Sequence, residues 1–141
     1  MIILDTNVIS ELIRPKPDTA VLSWLDKQPA DDLFITAISV AELLYGTHRL
    51  PDGKRKTALR DSIEAMLEKY FSDTIAPFDT QAAIIYAELV AEHEKQGRMI
   101  SMADAQIAAI CRNHQTILAT RNIKDFTHLG ISLINPWKDS K

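Results

Sequence analysis

The chain has 141 residues, about the size of one compact domain. Hydrophobic residues make up 46% of it and charged residues 25%, which excludes a disordered or fibrous protein and allows a sizeable core. The formal net charge is −3 and the pI is near 5.8, so bulk positive charge does not attract this protein to nucleic acid. A nuclease is still allowed, because carboxylates around a metal concentrate negative charge at one place.

Targeting and membrane signals are missing from the sequence. The longest apolar runs fall far short of the roughly 20 residues that span a bilayer, and the N-terminus has neither the basic nor the apolar region of a signal peptide. A single cysteine, Cys111, cannot form an internal disulfide. We therefore expect one cytoplasmic domain over residues 1–141 that does not bind membranes.

The first half of the chain alternates between strand and helix signals. An apolar strand at residues 1–4 ends at Asp5 and is followed by a short helix that prolines 15 and 17 terminate. Asp18 is placed to cap a second helix. Residues 33–36 predict a second strand, which runs into a helix with apolar residues at helical spacing.

The second half continues the alternation. After a turn at residues 51–53, the spacing of apolar residues predicts an amphipathic helix from Lys54 to about Phe71. Asp79 then caps a helix that Gly97 stops, and the next helix, 102–112, is apolar nearly all round. The remaining predicted strands are a weak one at 73–78 and two others at 116–120 and 131–134.

This alternation predicts an α/β fold with a mainly parallel sheet of about five strands, covered by helices on both faces. In such sheets the ligand site lies beyond the carboxyl ends of the strands. Candidate functional residues are therefore sought where strands end.

Three carboxylates occupy positions of this kind. Asp5 directly follows the first strand, although it could equally be an N-cap of the helix after it. Glu42 lies in the helix after the second strand, where a glutamate on a solvated face is the simpler interpretation. Asp104 lies in the first turn of the apolar helix, where it could merely compensate the helix dipole. Asn122 and Asp125 follow the fourth strand and could simply shape a loop.

Several acidic groups at one place repel one another unless a cation neutralises them. An all-oxygen set of ligands suits Mg²⁺ or Mn²⁺, whereas zinc favours histidine or cysteine. The four histidines show no metal-ligand spacing and are interpreted as surface or loop residues, and Cys111 as a core residue.

Four segments together resemble the PIN-domain nucleases. They are ILDTNVIS at 3–10, SVAEL at 39–43, ADAQIA at 103–108 and ATRN at 119–122, in the right order over essentially the whole chain. More narrowly, the chain is similar to VapC-type toxins of type II toxin–antitoxin pairs. The closing Asn135-Pro136-Trp137 is typical of their FitB-like branch.

The resemblance implies a three-layer α/β/α fold and assigns roles to residues of this chain. Asp5, Glu42 and Asp104 match the metal-binding positions, and Thr6 and Thr120 match supporting hydroxyl positions. Asn7 is expected to brace the first turn. Many relatives have an aspartate where this chain has Asn122, an amide that carries no charge but can supply a carbonyl oxygen. Asp125 is the candidate to replace that acid.

The function implied is Mg²⁺-dependent hydrolysis of phosphodiester bonds in structured RNA, such as transfer or ribosomal RNA, which inhibits translation. Arg121, Lys124 and Arg98 are candidates to contact RNA phosphates. The implied partners are a VapB-type antitoxin, operator DNA reached only through the antitoxin complex, and a second copy of the chain.

Two other functions stay open. The chain could be a PIN-like binding subunit that acts on operator DNA within an antitoxin complex and has little catalytic activity, since Asn122 weakens the acidic set. A phosphotransfer protein also has an aspartate after its first strand. The sequence Asp5-Thr6-Asn7 lacks the second acid that the dehalogenase-like form of those proteins needs.

Overall fold

A computed structural model describes residues 1–138 and contains a five-stranded, all-parallel sheet. In chain order the strands are β1 (Ile2–Leu4), β2 (Leu33–Thr36), β3 (Ile75–Ala76), β4 (Ile117–Ala119) and β5 (Ser132–Ile134). Their order across the sheet is β3-β2-β1-β4-β5, so β1 is central, with Ile2 opposite both Leu33 and Ile117. The predicted parallel sheet is confirmed, although the third strand has only two residues.

Seven α-helices are present within residues 1–138, and six of them were predicted from the sequence. They are α1 (Thr6–Leu12), α2 (Thr19–Asp26), α3 (Ala37–His48), α4 (Lys54–Phe71), α5 (Thr80–Lys95), α6 (Met102–His114) and the unpredicted α7 (Ile123–Phe126). The predicted caps are confirmed, because Asp18 Oδ1 accepts the Ala20 amide at 2.8 Å and Asp79 Oδ1 accepts the Ala82 amide at 2.9 Å.

Two apolar cores lie on opposite faces of the sheet because successive strand residues point to opposite sides. Ile3 and Leu118 pack into the core beneath α5, α6 and α7. Leu4 and Ala119, one position later, pack into the core that α1 to α4 cover. The expected three-layer α/β/α fold is confirmed. Across residues 1–138, no helix combines the length and apolar character needed to cross a membrane.

The sequence interpretation of the histidines was wrong for His93. This residue is on the inner face of α5 and only 8% exposed, and its Nδ1 lies 3.0 Å from the Leu89 carbonyl oxygen. Histidine occurs at both buried and exposed positions, so the residue type alone did not reveal which face of the helix His93 occupies. Cys111 is fully buried in α6, as expected, and burial raises the pKa of its thiol to about 12.

Candidate active site

The carboxyl edge of the sheet brings together residues from three separate segments of the chain. Asp5 lies between β1 and α1, at the centre of this edge. Glu42 enters from α3, in its second turn, and Asp104 from the first turn of α6. The three side chains line one cleft of about 420 Å³. The fold therefore places the three predicted acids in one cleft.

Asp5 is held by both of its carboxylate oxygens. Oδ1 accepts the Thr6 amide at 2.8 Å and so caps α1, while Oδ2 accepts the Thr120 hydroxyl at 2.7 Å and the Asn7 side-chain amide at 3.3 Å. Capping and membership of the cleft were alternatives in the sequence, and Asp5 does both. Asn7, expected to brace the first turn, thus contacts the Asp5 carboxylate directly.

The electrostatic surroundings of Asp5 disfavour its charge. Burial is the main cause that raises its pKa to about 6, and the Asp104 and Glu42 carboxylates add to the effect. Hydrogen bonds from Thr120 and from the Thr6 amide act in the opposite direction. A buried carboxylate facing two further acids is an arrangement that a cation would stabilise.

Thr6 positions Glu42. Its Oγ1 lies 2.8 Å from Glu42 Oε1 and 2.8 Å from Ser39 Oγ. Because a threonine hydroxyl has one proton, Thr6 donates to the carboxylate and accepts from Ser39. This contact fixes one oxygen of an otherwise exposed glutamate at the rim of the cleft.

Asp104 is positioned by the N-terminus of α6. Ser101 caps this helix, and its Oγ accepts the Asp104 amide at 3.1 Å. Partial burial raises the pKa of Asp104, and the Asp125 and Glu42 carboxylates raise it further, whereas the Ser101 hydroxyl lowers it. Asp104 therefore interacts electrostatically both with Glu42 in the acidic cleft and with Asp125 in α7.

Only one of the two candidates for a fourth oxygen donor lines the acidic cleft, although both line a third cavity on the α7 side. Asn122 lines the acidic cleft, and its backbone N–H donates to Thr120 Oγ1 at 3.0 Å. Asp125 lines a neighbouring cavity of about 300 Å³, which shares Asp104 with the cleft. Among residues 1–138, no three acidic, histidine or cysteine side chains form a close ligand cage.

The predicted basic residues divide between these two spaces. Arg121 lines the acidic cleft, where its guanidinium carbon lies 5.1 Å from the centre of the Trp137 ring. Arg98 and Lys124 line the neighbouring cavity instead. Positive charge therefore flanks the acids on both sides.

Sequence reasoning missed four residues that also line the cleft, namely Ser10, Glu11, Arg14 and Trp137. Glu11 is only 4% exposed, and its carboxylate accepts from Arg14 Nη1 at 3.1 Å and from the Asp18 amide at 2.9 Å. An acid three residues after Val8, on the apolar side of α1, was a usable signal. Trp137 lies at the cleft because of the tertiary structure, and its own segment contains no signal of this position.

Comparison with known proteins assigns the chain to a family. The PIN domain model matches residues 2–131. The VapC ribonuclease Y4jK of Sinorhizobium fredii is 42% identical over 98% of this chain and 99% of its own length. Toxin FitB of Neisseria gonorrhoeae is 40% identical over 99% of this chain and all of its own length.

A solved structure gives the same result for the fold. FitAB bound to an IR36 DNA fragment matches with a TM-score of 0.88 and 39% identity, covering 97% of this chain and 96% of that one. Sequence comparison and fold comparison therefore agree. The chain belongs to the PIN-domain family, in the branch of VapC-type toxin ribonucleases that includes FitB.

Proposed function

We propose that this chain is the toxin of a type II toxin–antitoxin pair and acts as a Mg²⁺-dependent endoribonuclease on structured RNA, of the transfer or ribosomal class. The observation that carries this proposal is the cleft in which Asp5, Glu42 and Asp104 meet at the carboxyl edge of the sheet. Ribonucleases with a PIN domain generally depend on a divalent metal.

The residues of the cleft fit a hard divalent cation. The donors are carboxylate oxygens, and burial together with neighbouring acids raises the pKa of Asp5, so the cleft favours bound positive charge. Asp5, Glu42 and Asp104 would hold Mg²⁺ or Mn²⁺, with Asn122 or Asp125 as the fourth oxygen donor. When bound, such an ion supplies Lewis-acid stabilisation of the charge on the scissile phosphate.

The other residues of the chain have positioning and binding roles. Thr120 and Asn7 fix the orientation of Asp5, and Thr6 fixes that of Glu42. Arg121, on the cleft, and Arg98 and Lys124, beside it, would contact RNA phosphates on either side of the bond that is cut.

The proposed partners follow from the relatives. A VapB-type antitoxin as partner and operator DNA as a ligand of the complex are supported by the solved structures of FitAB with a DNA fragment and of VapBC2 from Rickettsia felis with a promoter DNA fragment. We also propose a homodimer and, because the RNA substrate is there, action in the cytoplasm.

Cleavage of a total small-RNA pool tests this function. Wild-type protein and the Asp5→Asn variant are compared, each with Mg²⁺ or with EDTA, and we expect discrete products only from wild type with Mg²⁺. Glu42→Gln should also abolish cleavage, whereas Glu68→Gln, on the exposed face of α4, should not.

The same experiment distinguishes the second candidate function. If all lanes are alike and the antitoxin complex still binds operator DNA, the chain is a binding subunit with little catalytic activity. Asn122, an uncharged amide on the cleft, is the feature that favours this alternative, because it adds no negative charge to the acidic set.

A further inference from the structure

Trp137 and Arg121 form a contact at the rim of the acidic cleft. The Arg121 guanidinium carbon is 5.1 Å from the centre of the indole ring, within the range of a cation–π interaction. Arg121 is exposed and Trp137 half-buried, and both line the cleft that contains the three acids. A positive charge therefore stays next to Asp5, Glu42 and Asp104 without forming an ion pair with any of them among the contacts of residues 1–138.

The backbone on the Arg121 side is fixed by the cleft itself. The Arg121 amide donates to Asn7 Oδ1 at 3.3 Å, and Asn7 in turn donates to Asp5. The Thr120 amide donates to the Ile134 carbonyl at 2.9 Å, which holds the end of β4 beside the end of β5. These bonds bring the segment that carries Arg121 opposite the segment that carries Trp137.

The Trp137 side is fixed independently. Asn135 is buried, and its Oδ1 accepts the Trp137 amide at 2.9 Å, which forms an Asx turn. The Lys138 amide closes the same turn on the Asn135 carbonyl at 3.0 Å. The indole packs against the core beneath α1 to α4, so its position does not depend on Arg121.

We propose that Trp137 is a positioning residue that holds the Arg121 guanidinium at the rim of the cleft, where it binds a phosphate of the RNA next to the one that is cut. The inference rests on the proposed ribonuclease function. A long arginine side chain loses considerable rotamer freedom when it binds, and a ring that restricts it beforehand reduces that loss. Trp137 therefore acts on RNA affinity through Arg121 and has no contact with the reacting atoms.

Binding of RNA without cleavage tests the role directly. All variants are made in the Asp5→Asn background in EDTA, since asparagine is also a good N-cap, and the probe is a fluorescently labelled single-stranded RNA of mixed sequence. Anisotropy at several KCl concentrations gives affinity and its salt dependence. We expect Arg121→Gln to reduce the slope of log affinity against log salt by about 0.7, the value for one phosphate contact in a single strand.

The tryptophan variants separate a cation–π role from packing. Trp137→Leu keeps an apolar side chain without a π face, and we expect affinity to fall about two- to fivefold with a smaller salt slope. Trp137→Phe keeps a π face and should retain most of the affinity. If Trp137 had only a structural role, Trp137→Leu would lower the melting temperature but leave the salt slope of the folded fraction unchanged. That result would overturn the proposal.

A double-mutant cycle shows whether Trp137 acts through Arg121. Arg121→Gln combined with Trp137→Leu should bind no more weakly than Arg121→Gln alone. In the matched control, Arg98→Gln combined with Trp137→Leu, the two losses should multiply, because Arg98 lies in the neighbouring cavity. A further loss in the first pair would overturn the positioning role, since the ring would then contact the RNA itself.

The failure of this inference is distinguishable from failure of the proposed function. Unchanged affinity and salt slope in Trp137→Leu, with clear RNA binding by the parent protein, contradict the inference alone. Absence of RNA binding by the parent, together with absence of cleavage by wild type, contradicts both.

Discussion

Thr120 donates its hydroxyl proton to Asp5 Oδ2 across 2.7 Å, joining two residues that are 115 positions apart in the chain. Thr120 is fully buried and follows β4, while Asp5 follows β1, its neighbour in the sheet. Of the causes that lower the pKa of Asp5, this hydrogen bond is the largest. Thr120 is therefore the contact that most favours the charged form of the central carboxylate, against the larger effect of burial.

Thr120→Val should weaken metal binding. The substitution removes the hydroxyl with little change in shape, so the pKa of Asp5 rises further above about 6 and its oxygen is less well oriented. Loss of an outer partner of a metal ligand typically costs roughly 10- to 100-fold in metal affinity. Calorimetric titration with Mn²⁺ measures this loss, and Thr120→Ser is the matched control. Equal affinity of the Val and Ser variants would contradict the role of the hydroxyl.

Asp5→Asn should stabilise the metal-free protein at high pH. The folded state binds the Asp5 proton more tightly than the unfolded chain, because burial raises the pKa from 3.8 to about 6. The free energy of unfolding of wild type therefore decreases as pH rises from about 4 to about 6, by up to about 3 kcal/mol. Asparagine has no charge to desolvate, so the free energy of unfolding of the variant does not undergo this decrease.

Urea denaturation in EDTA at several pH values checks this. We expect the gain in Asp5→Asn to be absent at pH 4, where the carboxyl is largely protonated in the folded state, and complete near pH 8. Asp61→Asn, which removes a carboxylate from the exposed surface of α4, serves as the control and should show no comparable gain in the free energy of unfolding at pH 8. A gain of the same size at every pH would mean that the effect is not due to charge.

Asp104→Asn should abolish metal-dependent cleavage and leave the fold intact. Its carboxylate lies on the cleft, and its contribution to α6 as a first-turn acid is well below about 1 kcal/mol. RNA cleavage with Mg²⁺ and thermal unfolding measure the two effects separately. Retained cleavage would remove Asp104 from the site.

Asn122→Asp should tighten binding of Mn²⁺, because Asn122 lines the same cleft as the three acids and a fourth carboxylate adds charge there. Asp125→Asn is the informative comparison, since Asp125 lies in the neighbouring cavity and influences Asp104 from there. Calorimetry on both variants identifies the fourth donor. No change in Asn122→Asp would exclude Asn122 from the site.

Features set by local sequence were predictable. The caps at Asp18 and Asp79 and the parallel order of strands follow from side-chain chemistry and periodicity within a few residues. The helix α7 was not predictable, because four residues form little helix by themselves and this one is held by the buried Phe126.

The candidate site also contains residues that could be predicted from the sequence and residues that could not. Asp5 was found because it directly follows a strand, and Glu42 and Asp104 were added because their segments resemble those of PIN-domain nucleases; the fold then places the three in one cleft. Trp137 and Arg14 were missed because nothing in their own segments distinguishes a residue that lines a cleft from one that faces solvent. The separation of Asp125 from Asn122 also depends on how the chain turns into α7.

The central position of β1 has a consequence for synthesis of the protein. A nascent chain makes β1 first, but one of its two neighbours, β4, begins only at Ile117. Contacts over such separations close late in folding. Until Thr120 has left the ribosome, Asp5 lacks the hydrogen bond that most lowers its pKa, so the cleft is assembled only after β4 has been synthesised. A chain that ends before β4 therefore lacks both a neighbour of β1 and the hydroxyl that contacts Asp5.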